Sequence, residues 1–164
     1  EALKLEVKIV DQYYPSKKIK VELTIDPGID SGRTAIDWIT DTNILKPEGN
    51  VRDLIELSKG QKLVVTKVLD PQTIYSLKES NKTGLAAKVT AAAFEKNYIS
   101  IKKYEFNLNK DFEISPLLSA YSSQKNIFQI LSWALGLVVT AVLIALVVIG
   151  VQKFTVYLNS EEQH

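Results

Sequence analysis

Between Lys125 and Lys153 the chain carries no charged residue, reading NIFQILSWALGLVVTAVLIALVVIGVQ over residues 126–152. As a helix this run extends about 40 Å, more than the roughly 20 apolar residues that a bilayer core requires. Its centre holds one polar side chain, Thr140, whose hydroxyl can bond back to the helix backbone. Phe128 and Trp133 near one end, with Phe154 and Tyr157 near the other, suit the two membrane interfaces. About 125 residues precede the run, too few to surround so long a helix that is apolar on every side. The segment is therefore expected to be a transmembrane helix.

One row of the span differs from the rest. Gln129, Ser132, Gly136 and Thr140 recur at three- and four-residue spacing, which puts small and weakly polar groups on one side, the pattern that lets a second helix approach. This row is the expected helix-packing face. No charge lies inside the span, which argues against a proton relay or ion pathway within this chain.

The remainder is polar. All but one of the 20 basic residues and all but two of the 19 acidic ones precede residue 126, with both signs interspersed. No basic stripe is present, so nucleic acid is not an expected partner. The chain has no cysteine and no methionine. Disulfides, thiolate nucleophiles and cysteine-ligated metals are thereby excluded. Glu1 is not an initiator residue, and the expectation is a signal peptide cleaved before it, leaving an exported domain. That implies a cell-membrane protein with one pass, its N-terminal domain extracytoplasmic. The sequon Asn81-Lys82-Thr83 is a glycosylation candidate at Asn81 for such a domain.

The N-terminal region reads as strands. Leu3, Leu5, Val7 and Ile9 alternate with Lys4, Glu6 and Lys8, and Ile19, Val21, Leu23 and Ile25 alternate with Lys20, Glu22 and Thr24. Alternation of this kind gives a sheet with one face on a core and one in water. Pro15 punctuates the loop between the two. Further strand signals fall at QKLVVTKVL, TIYSL, YISIKKYEFNL and FEISPL. Within YISIKKYEFNL, the apolar positions Ile99 and Ile101 change parity at Tyr104 and Phe106, which predicts a bulge near Lys103. Between Asn50 and Gly60, the sequence NVRDLIELSKG has an N-cap residue, an acidic first turn and a glycine stop, and predicts a short helix. The run AAKVTAAAF is ambiguous: alanine favours helix, whereas Val89 and Thr90 favour strand.

The resulting expectation is a mainly β chain. It has a single β-sandwich-like, immunoglobulin-like domain over 1–118 with one short inserted helix, a polar connector at 119–125, a transmembrane helix at 126–152 and a short cytoplasmic tail at 153–164. The alternative is an α+β ectodomain.

Chemistry-bearing constellations are few. The sole histidine is His164, so triads and most zinc sites are excluded. Serine–lysine neighbours at Ser16-Lys17, Ser58-Lys59 and Ser76-x-Lys78 have spacings that give no dyad on a strand. No catalytic residue and no cofactor are expected. Asp26, Asp30, Asp37, Asp41 and Asn43 crowd one stretch and are weak calcium candidates. Tyr13, Tyr14 and Trp38 are candidate contact aromatics.

Three functions fit these features. The first is a non-enzymatic accessory or structural subunit of a membrane or cell-envelope assembly, meeting other protein subunits through its β-domain and its span while held in the lipid bilayer. The second is a cofactor-free subunit of a membrane-bound enzyme or transport complex. The third is a membrane-anchored receptor for glycans or polymers.

Overall fold

The computed structural model describes residues 1–72 and 81–162. The strand expected at TIYSL, the Ser76-x-Lys78 pair and His164 lie outside the described residues. The chain divides into two compact units, Glu1–Ser122 and Ser123–His164.

The first unit is a β-sandwich. Nine strands are described: β1 (Leu3–Gln12), β2 (Ile19–Pro27), β3 (Ser31–Thr40), β4 (Leu45–Pro47), β5 (Arg52–Leu57), β6 (Leu63–Pro71), β7 (Asn81–Ala93), β8 (Lys96–Leu108) and β9 (Ile114–Ser115). They form an antiparallel sheet ordered β1-β2-β6-β4 and a second ordered β5-β3-β7-β8-β9. The alternation in β2 is obeyed throughout, with Ile19, Val21, Leu23 and Ile25 fully buried. Leu3 and Val7 of β1 join the same core, and Leu5 and Ile9 pack against it. From the facing sheet come Ile36, Leu57, Leu85, Ala87, Val89, Ala91, Phe106 and Leu108.

Three expectations are settled here. The predicted helix at 50–60 is strand β5, paired with β3. Asn, Asp and Gly serve turns as readily as helix caps. Gly60, with φ +76°, forms the β5–β6 turn, its N–H donating to Pro27 O at 2.8 Å. The ambiguous run AAKVTAAA is strand β7, because Ala87, Val89 and Ala91 all point into the core while Lys88 and Thr90 point outward. Packing overrides alanine's helical preference there.

The predicted bulge near Lys103 is absent. The β7–β8 ladder runs unbroken from Asn81↔Leu108 to Ala93↔Lys96. Tyr98 shares the core-facing side with Tyr104, Phe106 and Leu108, whereas Ile99 and Ile101 point to solvent. The parity change vanishes once those two isoleucines are allowed outside. Bulges occur instead at Val10 in β1 and between Ser31 and Thr34 in β3.

Helix α1 (Ser119–Glu161) takes in the residues expected as connector and most of the tail. Its first residues belong to the sandwich unit, where Tyr121 is fully buried. In the second unit α1 is long and apolar enough to cross a membrane, and none of its apolar stretch is buried within the fold. This is compatible with a single-pass membrane anchor.

Candidate functional site

Trp38 is not a contact aromatic. It lies on the inward side of β3, 4% exposed. Its indole Nε1 donates to Asp53 Oδ2 at 2.7 Å. The same oxygen lies 2.9 Å from Lys67 Nζ on the opposite sheet, and Lys67 also donates to Asn50 O at 2.9 Å. The ammonium sits 5.8 Å from the Trp38 ring centroid. Three inward side chains from β3, β5 and β6 thus form a polar tie between the sheets, with each buried donor satisfied.

The five calcium candidates do not converge. Asp26 faces Lys62 at 3.8 Å, and Asp30 accepts the Lys59 N–H at 2.8 Å. Asp41 accepts the Asn43 N–H within its own turn. Among the described residues no group of three or more metal-ligating side chains assembles. Asp37 is held bidentately by Arg52, at 2.6 and 3.1 Å. That hydrogen bond depresses the Asp37 pKa below its ordinary value, against a smaller opposing effect of burial. A depressed carboxylate adds stability above its unfolded pKa, and loses it as pH falls through the lower folded value. Asp37→Asn is therefore expected to unfold with less pH dependence below about pH 4 than the parent, as read by acid titration of circular dichroism. Its stability at neutral pH should be slightly lower, because the pair is surface-exposed.

A second polar cluster surrounds the root of α1. Gln12, fully buried at the end of β1, donates through Nε2 to Lys17 O and Phe112 O and accepts the Ile114 N–H. Beside it, the buried Glu113 carboxylate accepts from Tyr121 Oη at 2.9 Å and from Asn109 Nδ2 at 3.0 Å. Burial, then the neighbouring Glu113, pushes the Tyr121 phenol well above its usual pKa, so it remains a donor. Tyr14 meets the Tyr121 ring edge-on at 5.8 Å, and both Tyr13 and Tyr14 are half-buried. These tyrosines build the base of the domain more than they offer a surface.

The outer face of the five-stranded sheet is the feature that residue patterns did not disclose. Ile39 of β3, Leu54 of β5 and Ile99 and Ile101 of β8 are 51, 79, 59 and 53% exposed. Between them the register lines up small residues, Leu54–Ala35–Thr90–Ile99 in one row and Ile39–Ala86 in another. Leu54 and Ile99 therefore flank the small Ala35 and Thr90, beside a groove that Arg33, Glu56, Ala92 and Asn97 also line. The charged row Arg52–Asp37–Lys88, which ends on Ile101, separates them from Ile39. At Gly84 of β7 a Cβ would lie 2.5 Å from Tyr104 O. At the β7–β8 hairpin tip Phe94 is 79% exposed and, with Glu95, adopts positive φ, the two-residue turn that matches strand twist. The one available signal was the outward parity of Ile99, Ile101 and Leu54, visible only after strand register is known.

On α1, Gln129, Ser132, Gly136 and Thr140 are exposed, and Thr140 Oγ1 donates to Gly136 O at 2.8 Å. Phe128, Trp133, Phe154 and Tyr157 are also exposed, and Tyr157 Oη donates to Glu161 at 2.8 Å. Asn81 is half-buried at the start of β7, with Thr83 buried behind it.

No protein-family model matches the chain, and no curated protein matches it. Among solved structures it is similar to the FixG-related protein from Vibrio parahaemolyticus, at 13% identity and a TM-score of 0.46, over 63% of this chain and 95% of that one.

Proposed function

We propose that this protein is a non-enzymatic, membrane-anchored accessory or structural subunit that meets other membrane or envelope subunits through its β-domain and its span. The observation that carries the reading is the outer face of the five-stranded sheet. Leu54 and Ile99 stand exposed there on either side of Ala35 and Thr90, with Ile101 next to Ile99 and Ile39 beyond the charged Asp37–Lys88 pair. Large apolar side chains grouped in the open on a folded domain are characteristic of protein contact sites. The exposed Gln129–Thr140 row gives the anchor a side suited to a neighbouring helix. Among the described residues, the inward polar groups are engaged in structural contacts: Asp53 and Lys67 tie the sheets, and Glu113 and Gln12 hold the base. Burial of Trp38 also leaves the glycan-receptor alternative without one of its candidate contact aromatics.

Isolation from native membranes in mild detergent tests this. Specific co-purifying subunits are expected, and they should be lost when Ile99 and Ile101 are both changed to lysine. A chain that co-isolates with nothing would count decisively against the reading.

A further inference from the structure

The sandwich has four edge strands among the described residues, β1, β4, β5 and β9. Three are blunted against pairing with another chain. β1 has a bulge at Val10 and presents Lys4 and Lys8 outward; β4 has three residues and ends in Pro47; β9 has two and is followed by Pro116. Such short, bulged, lysine- or proline-bearing edges are the usual protection against strand addition. β5 has none of these devices. It is six residues long, regular, and places Arg52, Leu54 and Glu56 outward.

The direction of the β5 backbone follows from its pairing with β3. Trp38 N donates to Val51 O at 2.9 Å, and the same register continues through Ile36↔Asp53 and Thr34↔Ile55. In an antiparallel ladder, alternate residues direct both backbone groups to the same neighbour. Val51, Asp53 and Ile55 therefore bond to β3. Arg52, Leu54 and Glu56 direct their N–H and C=O groups to the open edge.

We infer that β5 pairs antiparallel with β5 of a second copy, joining two five-stranded sheets about a two-fold axis at Leu54. Only registers that match open groups with open groups are allowed, so the offset changes in steps of two residues. The central register sets Leu54 against Leu54 of the second copy, and Arg52 against Glu56 of the second copy, twice by symmetry. The next register in either direction opposes Leu54 with a charged side chain and breaks both ion pairs. Directly opposed side chains of opposite charge favour a pairing and like charges oppose it. Arg52 bonds Asp37 of β3 through Nε and Nη2, which leaves Nη1 for Glu56 of the second copy. Glu56 and Leu54 are both exposed in the single chain. A six-residue ladder buries less than the roughly 1,000 Å² of a stable soluble dimer, so the pairing is weak in solution.

β5 pairing is a property of the purified chain alone and is independent of the accessory role. The chain has no cysteine, so a single introduced one reports only intermolecular contact. Opposed residues of a hydrogen-bonded pair have Cα atoms about 5.5 Å apart, within disulfide reach. Full-length Leu54→Cys in mild detergent is expected to oxidise to a disulfide dimer about tenfold faster than Val64→Cys, exposed on the other sheet. Adding Glu56→Arg to Leu54→Cys should slow it about tenfold, with unchanged thermal unfolding of the reduced protein. Equal rates for the two cysteine variants, or indifference to Glu56→Arg, would overturn the pairing. So would a Leu54→Cys chain in native membranes that cross-links only to a different protein, which would assign the edge to a foreign strand.

Discussion

Replacing Asp53 by alanine is expected to cost about 3 kcal/mol, the scale for breaking a buried ion pair by removing one partner. The carboxylate holds Trp38 Nε1 at 2.7 Å and Lys67 Nζ at 2.9 Å. Lys67 is only 9% exposed, so without Asp53 its charge stays buried against Asn50 O. The indole N–H also loses its acceptor, at a cost of about 1–3 kcal/mol for a buried donor. Partial exposure of Asp53, 27% at its side chain, keeps the total near the lower end. Thermal unfolding of the full chain in detergent should fall by about 10 °C. A Lys67→Met background supplies the control. There the same Asp53→Ala change should cost about 1 kcal/mol, because no charge is left stranded. Equal costs in both backgrounds would show that the inter-sheet charge pair contributes nothing.

Gln12→Ala is expected to destabilise by a similar amount, about 3 kcal/mol, by a different route. One fully buried amide satisfies Lys17 O, Phe112 O and Ile114 N, at 3.0, 2.9 and 3.0 Å. Alanine leaves those backbone groups buried without water to replace the amide. The loss is local in origin. Amide hydrogen exchange should therefore accelerate at residues 112–114 and around Tyr121 beyond what global destabilisation accounts for. Uniform acceleration across β1–β9 would refute a specific role for Gln12 in fixing the root of α1.

Much of this architecture was legible from the chain alone, and the boundary has a physical origin. Residues 126–152 read as a membrane-crossing helix because twenty or more apolar residues without charge have one stable solution in a bilayer, whatever surrounds them. The alternation in β1 and β2 was equally readable, since a half-buried strand writes its two faces directly into every second residue. The β-sandwich followed from repeated short strands of this kind.

What the sequence could not decide was set by neighbours distant in the chain. NVRDLIELSKG carries cap-like residues at both ends, but its ladder to β3 makes Leu54 and Arg52 outward and Asp53 inward. Trp38 reads as a contact aromatic or as a plug of the sandwich, and Asp53 and Lys67, from two other strands, hold it in the second role. The carboxylates from Asp26 to Asp41 are near in sequence, yet strand geometry gives each a different partner. The parity of Ile99 and Ile101 against Tyr104 and Phe106 predicts a bulge, whereas the unbroken β7–β8 register leaves both isoleucines in solvent. Burial is a property of where a strand lies, and a single register step would have exchanged the faces. The sequence by itself determined the helix long and apolar enough to cross a membrane and the strands that fill the core, because those depend on local apolar pattern. Only the tertiary structure decided which apolar groups remain outside, because that depends on pairing across the sheet.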